Sequence, residues 1–355
     1  METGHMANKR RLYERLAALA EAGPDGIGAA LADLYHPSAE WRGSHPLNEM
    51  RGVGEVEARV WAPLIRSFPD LERRDAILVG GSYEGRDYVA MVGHYCGTFR
   101  EDWLTIPATG RPIYIRYGEV HEVRDGAIVQ SNCLWDVLDV IRQAGFWPIA
   151  PSLGTEGMWP GPITGDGLVF TPTDPELSAA SLRQTLAMHK TLGGYNDQSG
   201  AGRQGLLNMP QKEHWHPRMM WYGPSGIGTT RGLQGFVDYH QLPFRNAFPN
   251  RKGGGQWDEI AGDKARFRGG HYIRIGDGPY SVTGGWPSVF AMHTGDNFLG
   301  VGPTQRPVTM RVMDFYLHHE GLIRENWVPL DILDLLLQMG VDVIARMQSH
   351  FRPYA

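Results

Sequence analysis

The chain has little cysteine and no long apolar run. Only Cys96 and Cys133 occur among its 355 residues, which excludes a disulfide framework and a thiolate metal cluster and favours a reducing, cytoplasmic location. No apolar stretch approaches the ~20 residues of a membrane-spanning helix, and no signal-peptide pattern opens the chain. We therefore expect a protein that does not enter a membrane.

A strong excess of one charge is also lacking. The net charge is −5, and no basic run with interleaved aromatic residues occurs, so no nucleic-acid partner is expected. Glycine, proline, tryptophan and histidine are plentiful, with 46, 24, 11 and 14 residues. This composition indicates many turns and aromatic-lined concavities, as in a protein that binds a small molecule, and it leaves a homo-oligomer open.

The chain is internally repeated. Pro37 corresponds to Pro217 at an offset of 217 − 37 = 180, and Asp136 to Asp331 at an offset of 331 − 136 = 195. The two offsets hold over long blocks without gaps, so the second half carries an insertion of 195 − 180 = 15 residues. A gene duplication explains this pattern, because repeats of this period imply repeated structural units.

The repeat predicts two similar domains, over residues 7–145 and 174–355, joined by a Gly/Pro-rich linker over 146–173. Each half places helices first and long strands after them, which is an α+β order. The predicted strands are rich in β-branched and aromatic residues. They cover 76–79, 88–99, 113–123 and 127–135 in the first half, and 257–260, 271–275, 288–294, 308–318 and 322–328 in the second.

Each half ends in one repeated stretch, 135–145 and 330–340, with an Asp, a second Asp three residues later, an apolar run, and Gln and Gly. In this order the elements predict a curved antiparallel sheet wrapped around helices, with a conical pocket at its open end. We expect the two cones to pack as a pseudo-twofold pair.

Several motifs resemble one known family. They are Arg51-Gly52 and Arg231-Gly232 before a helix, Phe68-Pro69 and Phe248-Pro249 at its end, the loop over 294–304 and the closing Asp-to-Gly pattern. In this order they resemble the SnoaL-like polyketide cyclases of the NTF2-like superfamily. The resemblance implies a cone-shaped α+β barrel, no metal or organic cofactor, and an Asp that acts as general acid/base in an intramolecular aldol reaction.

The resemblance carries that role to Asp136 and Asp331, with Asp331 favoured because the second half has the closer loop. A carboxylate deep in an apolar pocket has a raised proton affinity and can take a proton alpha to a carbonyl. An Asp before an apolar run is equally a preferred helix N-cap. Asp139 and Asp334 are expected on the surface of the first helical turn.

Arg116 and Arg311 occupy equivalent places in the middle of a strand. An inward Arg could bind a substrate carboxylate or stabilise an enolate oxygen. The alternative is a structural ion pair with Glu119 or Asp314, which are also equivalent.

Further candidates for substrate binding share aromatic or imidazole chemistry, suited to a pocket wall or to polarising a carbonyl. They are His36, His216, Trp41, Trp221, His121, Tyr316 and His293. Several of them have the alternative of a purely structural role.

Two short stretches, His214-x-His216 and His318-His319-Glu320, resemble metal-ligand pairs. The sequence does not identify a third ligand, and the family resemblance argues against a metal, so we expect none. The prediction is a cofactor-independent lyase or cyclase of aldol or retro-aldol type, acting on a carbonyl-bearing, aromatic small molecule. The alternatives are a non-catalytic binding or assembly module, and a hydrolase, dehydratase or isomerase on the same scaffold.

Overall fold

The computed structural model describes residues 4–193, 202–249, 251–253 and 271–350. They divide into two compact units: Met1–Pro148 with Pro160–Pro172 and Asp342–Ala355, and Ile149–Trp159 with Thr173–Val341. The predicted strand over 257–260 lies outside the described residues. No helix within the described part of the chain is both long enough and apolar enough to cross a membrane.

The first unit begins with helices and continues with a six-stranded sheet. Its helices are α1 (Gly4–Ala20), α2 (Gly23–Leu34), α3 (Val53–Val56), α4 (Ala62–Ser67) and α5 (Val137–Gln143). Its strands are β1 (Tyr35–Gly43), β2 (Glu49–Arg51), β3 (Glu72–Tyr83), β4 (Arg86–Thr98), β5 (Pro112–Arg124) and β6 (Ala127–Trp135). The predicted strand over 127–135 is β6, with the same bounds.

The first sheet has the order β2-β1-β6-β5-β4-β3. The long strands β3 to β6 form an antiparallel meander, in which tight turns join β3 to β4 and β5 to β6, and a longer loop joins β4 to β5. The expectation of a purely antiparallel sheet is wrong at one place, since β1 pairs with β6 in parallel. The helical segment between β1 and β3 makes this parallel return possible, since parallel strands need a long crossover.

The second unit repeats the same order. Its helices are α6 (Pro175–Gly193), α7 (Gly202–Asn208), α8 (Gly232–Phe236), α9 (Leu242–Ala247) and α10 (Ile332–Gln338), and α11 (Val343–Ser349) follows in the chain. Its strands are β7 (Trp215–Tyr222), β8 (Thr230–Arg231), β9 (Lys252–Gly253), β10 (Ile273–Asp277), β11 (Tyr280–Met292), β12 (Pro307–His319) and β13 (Leu322–Trp327). The order β10-β11-β12-β13-β7-β8, with β13 and β7 parallel, matches the first sheet.

Each unit contains a five-residue π-turn at the same place in the repeat. It covers Glu57–Trp61 between α3 and α4, and Val237–Gln241 between α8 and α9. A π-turn inserts an extra residue into a helix and occurs frequently at functional sites. Side chains of both turns contact aromatic rings, because Trp61 lies against Tyr95 and Trp135, and His240 lies against Trp221.

The segment predicted as a linker forms no helix or strand, and parts of it pair with both units. Leu168 bridges Leu78 of β3, and Thr155 bridges Thr229 before β8. Trp159 is buried, and Phe170 contacts the ring of Tyr13 at 5.1 Å between centroids. Its aromatic residues therefore serve as packing groups.

Candidate functional site

Asp136 lies where β6 passes into α5. Its side chain accepts a hydrogen bond from the backbone N–H of Asp139 at 3.0 Å and caps the helix. Its other oxygen accepts from Arg116 Nε at 2.9 Å. Both oxygens of the side chain therefore accept hydrogen bonds, as expected for an N-cap beside a guanidinium.

Asp331 has the same position before α10. It accepts from the backbone N–H of Asp334 at 3.1 Å, and Arg311 Nη1 lies 3.1 Å from its Oδ2. Gln338 completes this arrangement, because its Nε2 donates to Asp334 Oδ2 at 2.8 Å and to the backbone oxygen of Thr309 at 3.0 Å. We call this set of bonds, and its counterpart at Asp136, the helix clamp.

Two expectations about these residues are wrong. The ion-pair partners of Arg116 and Arg311 are Asp136 and Asp331, because both arginines lie on the strand face opposite to that of Glu119 and Asp314. Asp139 is buried rather than on the surface, and it binds Arg142 Nε at 2.8 Å. Its Oδ2 also accepts from Gln143 Nε2 at 2.9 Å.

A cavity of about 210 Å³ lies within the second unit. Alternate residues of β12 line it, namely Met310, Val312, Asp314 and Tyr316, because successive side chains of a strand point to opposite faces. The other lining residues are Met188, His189, Leu192, Trp215, Trp221, Ile227, Phe236, His240, Gln241, Phe244, Val289, Phe298, Asn326, Val328, Leu330 and Leu335. The lining is therefore mainly apolar and aromatic, with few polar groups, as is typical of small-molecule sites.

Asp314 is the acidic residue among these lining residues. Burial in the apolar surroundings raises its pKa from 3.8 to about 7, while hydrogen bonds from Tyr316 and Asn326 oppose that rise. Burial dominates because the charged form loses its hydration. A carboxyl group that titrates near neutrality can both accept and return a proton.

A hydrogen-bonded chain leads from Asp314 to helix α6. The hydroxyl of Tyr316 lies 2.8 Å from Nε2 of His189, and it is also hydrogen-bonded to Asp314. Burial, with His271 and Arg274 nearby, lowers the pKa of His189 to about 3, so the ring is neutral. A neutral ring can donate from Nε2 to the Tyr316 oxygen, which leaves the Tyr316 hydroxyl to donate to Asp314.

The helical wall of the cavity is built on the π-turn of the second unit. The ring of His240 stacks on Trp221 with 4.0 Å between centroids and 16° between planes. Gln241 follows it, and its Oε1 accepts from Arg245 Nε at 3.0 Å. Burial, and secondarily Arg245, lowers the pKa of His240 to about 3.

The equivalent acid of the first unit, Glu119, is held by a buried ion pair. Arg73 Nη1 donates to its Oε2 at 2.7 Å, Trp135 Nε1 donates to its Oε1 at 2.7 Å, and Tyr95 donates to the same oxygen at 3.1 Å. Burial would raise the pKa of Glu119, but Arg73, His121 and Trp135 lower it to about 2. Glu119 is therefore a carboxylate at any ordinary pH.

Aromatic side chains fill the space around Glu119. Trp61, Tyr95 and Trp135 contact one another with ring centroids 5.2–6.1 Å apart, and Arg73 lies 4.4 Å from the centroid of Tyr117. By the two offsets, the second unit has smaller residues in three of these places: Gln241 for Trp61, Val312 for Tyr117 and Leu330 for Trp135. These replacements leave open in the second unit the space that rings occupy in the first.

The structure distributes the remaining predicted site residues over several environments. Trp221 and Tyr316 line the cavity. Trp41 and His121 are buried in the first unit, where His121 Nδ1 lies 2.8 Å from Ser131 Oγ. His293 is buried, and it binds Thr304 and the backbone of Asp296, both at 3.2 Å.

His36 and His216 lie near the start of β1 and β7. His36 is exposed, and its Nδ1 accepts from the backbone N–H of Ser38 at 3.3 Å. His216 Nδ1 accepts in the same way from Arg218 at 3.0 Å. Neither residue lines the cavity, and within the described ranges no group of three or more His, Cys, Asp or Glu residues could hold a metal.

Sequence reasoning missed Asp314, His189 and His240 as site residues. A usable signal was present for Asp314, because Arg311 and Tyr316 are five positions apart on one strand and cannot both face inward in a regular strand. Choosing Tyr316 as inward places Asp314 inward as well. His189 and His240 occupy helices, and nothing in their spacing marks them as functional.

One family model and several solved structures are similar to a part of this chain. The sequence model described as SnoaL-like polyketide cyclase matches residues 11–144. A SnoaL-like protein from Jannaschia sp. CCS1 is 20% identical, with a TM-score of 0.32, over 37% of this chain and 90% of that chain. IdmH from Streptomyces antibioticus is 24% identical, with a TM-score of 0.32, over 38% of this chain and 98% of that chain. An NTF2-like protein from Burkholderia pseudomallei is 18% identical, with a TM-score of 0.31, over 39% of this chain and 98% of that chain. No curated protein matches the chain.

Proposed function

We propose that this chain, a member of the SnoaL-like polyketide cyclase family with one SnoaL-like domain in each half, is an aldol-type cyclase or lyase whose reaction takes place in the cavity of the second unit. The observation that carries the proposal is Asp314. Its carboxyl lies in an apolar cavity and has a pKa raised to about 7. This is the proton affinity that a general base needs at neutral pH.

The proposed chemistry consists of proton transfers and one carbon–carbon bond. The Asp314 carboxylate removes a proton alpha to a substrate carbonyl, and the electron pair moves into an enolate. The enolate carbon attacks a second carbonyl of the same molecule, and the protonated Asp314 returns its proton to the new alkoxide. The same steps in reverse describe a retro-aldol cleavage, and neither direction needs a cofactor for its balance.

The neighbours of Asp314 have defined parts in this scheme. Tyr316 and Asn326 are hydrogen-bonded to the carboxyl, so they hold it in one orientation. The neutral ring of His189 binds the Tyr316 hydroxyl and so favours donation from that hydroxyl towards Asp314. The apolar walls exclude water, which strengthens each of these interactions.

The earlier candidate Asp331 remains a competing proposal for the base. Leu330 and Leu335 on either side of it line the cavity, but Asp331 itself caps α10 and binds Arg311. These bonds occupy lone pairs on both of its oxygens. We therefore rank Asp314 above Asp331.

The experiment compares three variants of the full chain, Asp314→Asn, Asp331→Asn and Glu119→Gln. Solvent deuterium incorporation alpha to the carbonyl of acetophenone-like ketones is measured by proton NMR. We expect Asp314→Asn to lower the exchange rate per folded molecule by the ~10²–10⁴-fold typical of a lost general base, with Glu119→Gln as the matched control that keeps the rate per folded molecule. A loss confined to Asp331→Asn would assign the base to Asp331. Absence of exchange in the unmodified chain, with ligand still bound, would favour a binding module.

A further inference from the structure

The helical wall of the cavity also carries polar groups, as does strand β12 with Asp314. The π-turn of the second unit places His240 and Gln241 on the cavity. The π-turn of the first unit has Val60 and Trp61 in these places, at the offset of 180. The second unit therefore has polar residues in its helical wall where its duplicate has only apolar ones.

His240 is held so that its ring can serve a ligand. The ring stacks on Trp221 and lies 5.3 Å from the ring of Phe236, between centroids. Its Nδ1 is buried and has no hydrogen-bond partner among the described residues. A buried polar atom without a partner is costly, so a bound molecule that supplies one is favoured.

The cavity volume limits the size of that molecule. Its value of about 210 Å³ exceeds the ~150 Å³ of a dry engineered cavity that binds benzene, and it falls below the ~300–1,000 Å³ of drug-sized sites. One substituted ring or two fused rings fit this space, whereas three or four fused rings do not.

We propose that the cavity binds a compact, uncharged molecule of one or two rings that carries oxygen at both ends. One oxygen function lies at Asp314 and Tyr316, and the other accepts or donates a hydrogen bond at His240. The inference rests on the proposed function only for the proton transfer at Asp314. Binding itself does not depend on turnover.

The test measures binding to the full chain with Asp314→Asn in the background, so that no turnover occurs. The probes are para-hydroxyacetophenone, with oxygen at both ends of one ring, acetophenone, with oxygen at one end, and anthraquinone, with three fused rings. Quenching of tryptophan fluorescence reports binding, since Trp215 and Trp221 line the cavity. We expect para-hydroxyacetophenone to bind about 3–10-fold more tightly than acetophenone, the usual effect of one hydrogen bond, and anthraquinone not to bind.

His240→Phe keeps a ring for stacking on Trp221 and removes both nitrogens, so it should abolish the preference for para-hydroxyacetophenone. His240→Gln should retain part of it, and it provides a second variant should His240→Phe fail to fold. His216→Phe is the matched control and should retain all of it. Any one of four outcomes would overturn the inference. They are equal binding of the two acetophenones, a preference that survives His240→Phe, tight binding of anthraquinone, and no binding of any probe. Bound ketone without deuterium exchange in the unmodified chain would contradict only the proposed reaction.

Discussion

At the scale of single residues, Asp314 and Glu119 occupy equivalent positions and have opposite proton affinities. The pKa of Asp314 is raised to about 7, mainly by burial. Burial is also the largest single effect on Glu119, but Arg73, His121 and Trp135 together outweigh it and lower the pKa to about 2. The difference follows from the partners that surround each carboxyl, since both residues are acids on the same strand of the repeat.

The raised pKa of Asp314 predicts a pH-dependent cost to stability. The folded state favours the neutral form of the Asp314 carboxyl. Its contribution to the unfolding free energy is therefore fully present below pH 3.8, the pKa in the unfolded chain, and is lost as the pH rises through about 7, the pKa in the folded chain. Asp314→Asn stays neutral at every pH. The melting temperature of this variant, relative to the unmodified chain, should therefore rise as the pH increases from about 4 to 7.

Glu119→Gln provides the control with the opposite sign. The lowered pKa of Glu119 gives stability that is present above 4.5 and is lost as the pH falls towards 2. The variant should lose about 1–3 kcal/mol of unfolding free energy near neutral pH, because Arg73 loses one of its two buried carboxylate partners and keeps only Asp75. Parallel pH trends for Asp314→Asn and Glu119→Gln would refute this account of the two acids.

His189 should tune the proton affinity of Asp314. Its bond to Tyr316 strengthens donation from the Tyr316 hydroxyl to the Asp314 carboxylate. His189→Phe removes that support, so the midpoint of the pH–rate profile for deuterium exchange should move upward from about 7. His271→Phe is the control, because His271 contacts His189 only ring to ring, with 5.2 Å between centroids. An unchanged or lower midpoint in His189→Phe would rule out the relay.

At the scale of elements, the helix clamp joins the central strand of each unit to the short helix after the last strand. Asp, Arg and Gln take the same parts in both copies, at Asp136, Arg116 and Gln143 and at Asp331, Arg311 and Gln338. A clamp that is retained in a unit with a filled interior, as well as in a unit with a cavity, has a structural purpose in both.

The clamp predicts matched losses of stability from the two aspartates. Asp136→Ala and Asp331→Ala should each lower the unfolding free energy by about 1–3 kcal/mol, because each removes an N-cap and the carboxylate closest to a poorly exposed Arg. Urea unfolding measures this loss, with Asp342→Ala as a control expected at about 1 kcal/mol, since Asp342 caps α11 and forms no ion pair with an Arg among the residues that the structure describes. A deuterium-exchange rate per folded molecule that drops only in Asp331→Ala would instead support catalysis by Asp331.

At the scale of the whole chain, duplication has produced two units whose interiors differ. The first unit encloses rings and a buried ion pair, and the second encloses a cavity of about 210 Å³. We therefore expect one ligand per chain, measured as the stoichiometry of para-hydroxyacetophenone binding by calorimetry. Two equivalent sites per chain would contradict this expectation.

Exchanging the residues that fill and open the two interiors tests the same point. Leu330→Trp restores the first unit's tryptophan to the second and should lower ligand affinity by more than tenfold, with little loss of stability because the ring enters existing space. The mirror variant, Trp135→Leu, should cost about 3 kcal/mol by leaving a cavity and should not change ligand affinity. Equal effects of both variants on ligand binding would show that the first unit also holds a site.

The sequence by itself determined the duplication, the order of helices and strands, and the resemblance to the SnoaL-like polyketide cyclases. Apolar periodicity and β-branched residues follow from local chemistry, so most long strands could be predicted and β6 had the same bounds, Ala127–Trp135.

Only the tertiary structure decided which face of each strand lies inside. For that reason Arg311 was predicted in the pocket, while Asp314, on the opposite face, lines it. The tertiary structure also decided the state of the two acids, because the partner that lowers the pKa of Glu119 is Arg73, 46 positions away in the chain. Proton affinity depends on partners and burial that distant elements supply, and no local pattern in the sequence records them.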